Sequence, residues 1–185
     1  MENNSLKLKE LLIDLCSTDE DKLVLEELCK KVVTVTENSF EFEDQKFTYE
    51  KSTNRKIRNE NFFPKSFLEI LKSFDSLTWY DGDAGLKFDE DGFTIAYDFL
   101  LEGLEEEEQE EYGGSMCCFA AYQNAVFIDE SRKLKNGEDA LGFISHGSCE
   151  WEEVRSADNL NYKQILLRMI SDVAIETNYI DEICY

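Results

Sequence analysis

The residues with the most specific chemistry stand together in one segment. His146 is the single histidine of the 185 residues, and Cys149 follows it within a Ser-His-Gly-Ser-Cys stretch. A thiol nucleophile activated by histidine needs hydrogen-bond contact between the two side chains and donors for an oxyanion. Because nothing in the segment specifies either, we interpret His146 as a loop histidine beside a buried cysteine. A small hydrolase that uses Cys149 or a pair of carboxylates is the least favoured alternative.

The other cysteines do not predict a metal or redox site. Cys117 and Cys118 are adjacent, whereas zinc hooks and dithiol redox motifs separate their cysteines by two or more residues. Adjacent residues of a strand point to opposite faces, which also disfavours a disulfide between them. The six cysteines are irregularly spaced and follow no secretory segment, so we expect reduced, mostly buried thiols in a cytoplasmic protein. We predict no cofactor and no catalytic residue.

Four aspartates raise the question of calcium binding: Asp81, Asp83, Asp89 and Asp91. With Asp89 and Asp91 at the third and fifth positions of an EF-hand loop, Gly92 would stand correctly at the sixth. The first ligand position would then be Lys87, a cation, and the flanking pattern is that of strands instead of helices. We therefore predict no metal site, and a weaker cation site is the alternative that a calcium titration would test.

Negative charge is the strongest feature of the composition. The chain has 41 acidic and 19 basic residues, and 13 of the acids but no base fall between Phe88 and Ser131. A field of this sign repels phosphate backbones and anionic membrane surfaces and steers basic proteins toward the chain. No run approaches the length of about 18 apolar residues needed for a membrane span. We predict a basic protein partner, with neither nucleic acid nor membrane as a ligand.

Acidic residues and a tyrosine form the predicted partner-binding site. The acidic run that ends at Glu111 cannot bury its side chains, so it is predicted to be a loop or an exposed helical turn. Trp79, Tyr80 and Trp151 are further candidate anchors, because aromatic residues tend to carry interface energy, although the core is favoured for both tryptophans. The predicted contact residues are Asp81, Asp83, Asp89, Asp91, Glu102, Glu105, Glu106, Glu107, Glu108, Glu110, Glu111 and Tyr112.

Hydrophobic periodicity predicts the elements that must position these residues. Leucines at helical spacing predict a helix up to Leu15, and a Thr-x-x-Asp capping box at Thr18 predicts the start of the next. Apolar residues then alternate with polar ones from Val33 to Tyr49, which predicts a hairpin with its turn at residues 43–45. We assign residues 1–61 to an N-terminal extension of helices and hairpin, packed on or extending the main domain.

The main domain is predicted to span residues 62–185. Pro64 stands where a helix would begin, and the chain closes with a strongly apolar helix capped by Ser156 or Asn161. Between them, alternating or apolar runs predict strands at Leu86 to Phe88, Phe93 to Phe99, Met116 to Tyr122, Ala125 to Asp129, Ala140 to Ser145 and Glu150 to Val154. This order predicts an α+β fold with a mainly antiparallel sheet flanked by helices.

Two segments resemble the SUKH superfamily. The run FFPKSFLEILKSF, Phe62 to Phe74, is similar to the opening helix of that family, and LGFISHGSCEWEEVRSADNLNYKQILLRMI, Leu141 to Ile170, is similar to its closing strands and final helix. The resemblance covers about Phe62 to Val173, although Asp75-Ser76 stands where the family often has Asn-Gly. It implies a binding protein without catalytic residues, since the family includes bacterial immunity proteins against toxins, many of them nucleases, and fungal regulators of cell-wall synthesis.

The leading hypothesis is therefore a cytoplasmic immunity protein that neutralises a basic toxin domain by direct binding. Basic nuclease clefts fit an acidic aromatic surface, and this electrostatic argument agrees with the resemblance. The alternative is a general regulatory or scaffold module without a toxin partner, whose acidity serves solubility.

Overall fold

The computed structural model describes residues 2–53, 57, 60–81, 84–89, 117–121, 124–145 and 150–180. Within these ranges it contains four α-helices and nine β-strands, and all pairings between the strands are antiparallel. The predicted mixed α+β class with an antiparallel sheet is therefore confirmed. No described helix is both long and apolar enough to cross a membrane.

Two helices open the chain. α1 spans Glu2–Leu12 and continues into a short 3-10 turn, and α2 spans Asp19–Lys31. α2 begins at the predicted capping box: the Thr18 hydroxyl accepts a hydrogen bond from the Asp21 N–H at 3.3 Å, and the Asp21 carboxylate accepts one from the Thr18 N–H at 2.7 Å. One side of each helix is buried, with Leu8 and Leu12 on α1 and Leu25 and Leu28 on α2, whereas Leu6 and Leu23 are exposed.

The first strands are β1 (Thr34–Val35), β2 (Ser39–Glu41) and β3 (Lys46–Lys51). The predicted turn closes the β2–β3 hairpin through a hydrogen bond of 2.7 Å from the Phe42 N–H to the Gln45 carbonyl. Phe40 and Phe47 pair across the hairpin, and their rings stack with centroids 4.8 Å apart. The alternating pattern thus fixes which side of the hairpin is buried.

α3 (Lys65–Ser73) leads directly into β4 (Phe74–Asp81), which pairs with β5 (Ala84–Asp89). Pro64 is the residue just before α3, as expected for a side chain whose missing N–H costs a helix start nothing. α3 buries Phe67, whose ring meets that of Phe88 at a centroid distance of 6.4 Å. α3 therefore covers one face of the β4–β5 hairpin.

The second half of the sheet contains β6 (Cys117–Ala121), β7 (Asn124–Lys133), β8 (Asp139–Ile144) and β9 (Trp151–Glu153). The four predicted strands here are confirmed, and the one from Phe93 to Phe99 lies outside the described residues. β7 runs four residues further than predicted. The register shifts after Asp129, whose carboxylate accepts hydrogen bonds from the Ser131 N–H and hydroxyl, so the polar end still pairs with β8. Gly137, at φ +87°, allows the tight turn between β7 and β8.

α4 (Tyr162–Ile175) closes the fold. Of the two predicted caps, Asn161 is correct, because its side chain and that of Gln164 exchange hydrogen bonds with each other's backbone N–H at 3.1 Å. α4 packs against both α2 and α3. Antiparallel pairing of β3 with β4 also carries the sheet across the predicted boundary at residue 61, so the N-terminal segment and the main domain share one sheet.

Burial differs between the two halves of the sheet. On β3 and β4 the side chains alternate between the core and an open outer face. On β7 and β8 both faces are buried, since Val126 belongs to the main core while Phe127 and Ile144 are fully buried on the opposite side. The Trp151 ring covers Gly142 so closely that no Cβ would fit there. The near-continuous apolar run from Ala125 to Asp129 is typical of a strand that is buried on both faces.

Candidate partner-binding surface

Most of the predicted contact residues lie outside the described ranges, so their role stays a prediction. They are Asp83, Asp91, Glu102, Glu105, Glu106, Glu107, Glu108, Glu110, Glu111 and Tyr112. The same holds for His146 and Cys149, the pair considered for thiol chemistry. Among the described residues, no group of three potential metal-ligating side chains occurs.

Asp81 and Asp89 are the two predicted contact residues whose backbone is described, and they lie apart. Asp81 ends β4 and pairs with Ala84, whereas Asp89 ends β5 and pairs with Ser76. At about 3.4 Å per residue, the length of β5 separates the two ends by roughly 17 Å. β6 pairs antiparallel to β5 and so begins near Asp89, which means that the chain carrying the acidic run is attached at that end of the sheet. Asp81 belongs to the opposite end.

The candidate aromatic anchors separate into buried and exposed side chains. Trp79 is 4% exposed and its indole N–H donates to the Gln45 side chain at 2.6 Å, so it is a core residue, as favoured. Trp151 is half-buried and packs on Phe127, with ring centroids 5.8 Å apart. Tyr80 is 66% exposed. Of these three, Tyr80 alone offers a large free aromatic surface to a partner.

Tyr80 stands on the outer face of the β3–β4 pair, opposite the helices. Thr48 and Thr78 are direct partners in the register on this face, and the Thr48 hydroxyl donates to the Thr78 carbonyl at 3.5 Å. Lys46 is paired with Glu41 at 2.6 Å, so these two charges compensate each other. Short hydroxyl side chains around one projecting aromatic ring make a flat surface from which the ring can enter a partner's pocket.

Two acids that sequence reasoning missed lie at the same end of the sheet as Tyr80. Glu43 and Asp44 are exposed in the β2–β3 turn, and the contact of Gln45 with Trp79 brings this turn beside the end of β4. The hairpin register could have found them, since β4 must pair with β3 for that turn to approach Asp81. We call Tyr80, Thr48, Thr78, Glu43, Asp44 and the β4 end at Asp81 the Tyr80 surface.

Other acidic side chains are hydrogen-bonded inside the fold and are not available to bind a partner. Asp21 is fully buried and accepts hydrogen bonds from the Ser17 and Thr18 N–H groups, from Gln164 at 2.9 Å and from the Arg168 guanidinium at 2.8 Å. Burial by itself would raise the pKa of Asp21, but the hydrogen bonds from Arg168, Ser17 and Thr18 outweigh it and hold the pKa below its ordinary value. This carboxylate joins α2 to α4.

Asp129 is similar. Burial would raise its pKa, and hydrogen bonds from Ser131 and Arg132 lower it further than burial raises it. Arg132 also bonds Asp158 at 3.0 Å and the Leu141 carbonyl at 2.7 Å, so the buried charge is compensated from several sides. Asp129 therefore stabilises the end of β7 instead of facing a ligand.

Two further acids close the helix ends. Glu138 accepts hydrogen bonds from the N–H and hydroxyl of Ser66 at the start of α3, at 2.7 and 2.5 Å. Asp172 accepts from the Thr177 hydroxyl and from the N–H groups of Tyr179 and Ile180, which folds the chain back after α4. Both carboxylates therefore stabilise the fold through hydrogen bonds at helix ends.

The described thiols are poor nucleophiles. Cys16 and Cys29 are free, and burial raises the pKa of the Cys16 thiol to about 11. Burial likewise raises the pKa of Cys29. Both thiols are therefore protonated at neutral pH, and a thiolate is the reactive form. The described part of the molecule thus offers a binding surface at Tyr80 in preference to a thiol centre at these two positions.

Comparisons with known proteins add no relative to this picture. Any assignment of function therefore rests on the residues themselves. The sequence matches no protein-family model, no curated protein and no solved structure.

Proposed function

We propose that this protein is a cytoplasmic, SUKH-like immunity protein that neutralises a basic toxin domain by binding it directly. One observation carries the proposal: an exposed tyrosine stands on an open polar sheet face beside the acidic turn at Glu43 and Asp44, in a chain of net charge −22. Aromatic anchors near the centre of an interface dominate binding energy, and complementary charge steers encounter. The proposal assigns binding to this protein and no catalysis.

The charge supports a basic partner. At physiological ionic strength the Debye length is about 8 Å, so a partner docked at Tyr80 senses mainly the acids close to it. Within the Tyr80 surface these are the exposed Glu43 and Asp44. A nuclease must present a positive cleft to bind phosphate, so it is a natural target for an aromatic anchor flanked by acids.

The fold of the two segments that resemble the SUKH superfamily also supports the proposal. Phe62 to Phe74 contains α3, and Leu141 to Ile170 contains β9 and most of β8 and α4, which are the elements that the resemblance implies. The two segments meet where the Tyr162 N–H donates to the Ser66 hydroxyl at 3.0 Å, so they belong to one packed unit. Relationship to that family is part of the proposal.

A growth assay with the protein encoded by the adjacent gene tests the proposal. That protein is expressed alone and together with this chain, and we expect arrest of growth in the first case and rescue in the second. Calorimetry on the purified pair should give a Kd that rises at least about 30-fold in Tyr80→Ala, since truncating a hot-spot aromatic costs about 2 kcal/mol or more.

Thr48→Ala is the matched control, because it lies on the same face but removes little contact surface. It should bind within about threefold of the unchanged protein. If the adjacent protein is harmless, or if it binds without rescue of growth, the immunity proposal fails and a general interaction module is the better description. Equal losses in both variants would instead remove the anchor role of Tyr80.

A further inference from the structure

A cleft of about 880 Å³ opens between α1, the loop after β1, the end of β3 and the junction of α3 with β4. This volume lies within the range of about 300–1,000 Å³ that ligand sites occupy. Its floor is formed by buried aromatic residues: the Tyr49 and Phe74 rings are perpendicular and 6.0 Å apart, and the Tyr49 hydroxyl donates to the Thr36 carbonyl at 3.0 Å. The cleft is separate from the Tyr80 surface.

Three lysines from three different elements line this cleft. They are Lys7 of α1, Lys51 at the end of β3 and Lys72 in the last turn of α3. None of them makes an ion pair with a described residue. Five other lysines do make ion pairs with described residues, whereas Lys9, Lys31, Lys65 and Lys135, outside the cleft, make none. The paired lysines are Lys22, Lys30, Lys46, Lys133 and Lys163.

Three carboxylates line the same cleft. Glu10 and Asp14 follow Lys7 on one side of the first helix and its 3-10 extension, and Glu37 lies in the loop after β1. Within the described ranges they too make no ion pair. The Lys7 and Glu10 spacing of three residues would permit a pair on a helix, yet none forms. In the part of the chain that the structure describes, the cleft therefore holds three positive and three negative side chains that form no ion pairs with one another.

The chemistry of the ligand follows from these six charges. A simple anion would be attracted by the three lysines but repelled by the three carboxylates and by a chain of net charge −22. A simple cation would be repelled by the three lysines. A ligand with both signs satisfies each group without net repulsion. A single amino acid would leave most of the volume empty, whereas a peptide of several residues fills it. We propose that the cleft binds a short peptide segment with side chains of both charge signs.

Three capped hexapeptides test the proposal: one with alternating Lys and Glu, one with Glu alone and one with Lys alone. Each is titrated to millimolar concentration into the 15N-labelled full chain. We expect the mixed peptide to shift amide resonances of α1, residues 35–37 and residues 49–51, with a Kd at least about tenfold below that of either single-sign peptide. The proposal is independent of toxin binding, because these resonances do not belong to the Tyr80 surface.

Charge-reversal variants of the cleft lysines provide a second test of the proposal. Lys51→Glu with Lys72→Glu should weaken mixed-peptide binding by about tenfold or more. Lys65→Glu with Lys135→Glu is the matched control, since both lysines are exposed outside the cleft and the change in net charge is equal. Circular dichroism confirms that each variant is folded. Absence of shifts, equal affinity for a single-sign peptide, or equal loss in the control pair would each overturn the proposal and leave a solvated groove.

Discussion

Trp79 and Tyr80 are neighbours on β4, yet they belong to different parts of the molecule. Trp79 points into the core under the helices, with 4% of its surface exposed, while Tyr80 points to the open face, with 66% exposed. Their residue types are nearly equivalent for interface chemistry, so composition cannot separate their roles. The pleat of the strand does, because successive side chains point to opposite faces. Position on the sheet decides whether an aromatic stabilises the fold or is free to bind.

The acidic residues also divide into buried side chains that stabilise the fold and exposed side chains that are free to bind. Asp21 is inside the fold and saturated with donors, whereas Glu43 and Asp44 are exposed in a turn with no ion pair to a described residue. The net charge of −22 therefore overstates the negative charge that is exposed to a partner at the surface. Inward acids contribute to folding stability, and outward acids contribute to the field at the surface.

The sharpest test of this division compares the two aromatics directly. Trp79→Ala should lower the free energy of unfolding by about 3–5 kcal/mol, since it leaves a large cavity and an unpaired Gln45 side chain. Tyr80→Ala should change it by less than about 0.5 kcal/mol. Urea unfolding followed by circular dichroism measures both. Similar losses in the two variants would show that the outer face is covered in solution.

Asp21→Asn tests the inward acids. It removes the charge that Arg168 needs while keeping the size of the side chain, so we expect a loss of about 2–3 kcal/mol in the free energy of unfolding. Asp19→Asn is the control, because Asp19 lies two residues away on the exposed side of α2 and pairs only with exposed Lys22. Urea midpoints that fall equally in the two variants would contradict a special role for Asp21.

The pH dependence of stability should follow from the same carboxylate. Because the folded pKa of Asp21 lies below its unfolded value of about 3.9, the stabilisation is complete above that value. It is lost as pH falls through the folded pKa, since the unfolded chain then takes up the proton first. The stability difference between the unchanged protein and Asp21→Asn should therefore shrink below about pH 4. A difference that stays constant down to pH 2 would argue against the lowered pKa.

The smallest expected effect is on the association rate and comes from the exposed acids Glu43 and Asp44. Glu43→Gln with Asp44→Asn should slow association with a basic partner a few-fold at low salt and leave stability unchanged. Replacing Glu105 to Glu108 with glutamine should also slow association if that run steers encounter. Stopped-flow rates across a salt series measure this, with Glu26→Gln and Glu152→Gln as a matched change of two exposed charges. Equal slowing in the matched variant would reduce the effect to net charge alone.

Local sequence patterns predicted a large part of the fold. The Thr18 box, the turn after β2 and the Asn161 cap depend on residues within a few positions of each other, so their chemistry is visible in the sequence. The core was also favoured for Trp79, which stands in an apolar-patterned segment and is 4% exposed. These signals succeed because turns, caps and pleats are set by neighbouring residues.

Contacts between distant residues could not be predicted. Gln164 and Arg168 reach Asp21 across more than 140 positions, and nothing near Asp21 indicates that its carboxylate serves α4 as well as its own cap. The acidic turn at Glu43 approaches Tyr80 only through the pairing of β3 with β4. Sequence reasoning therefore found the charge, the aromatic residue and the turn, but not the strand pairing that brings this turn beside Tyr80.

The order of the strands limits how this molecule can be divided. Each strand pairs with its neighbours in the chain, from β1 to β9 without interruption. Cutting the chain after residue 61 would remove β3 and leave β4 with unpaired N–H and C=O groups along Phe74–Asp81, beside the apolar Leu77 and Trp79. Such a strand is a template for a second copy. A fragment that begins at residue 62 should therefore self-associate through β4, whereas residues 1–61 keep the intact chain from doing so.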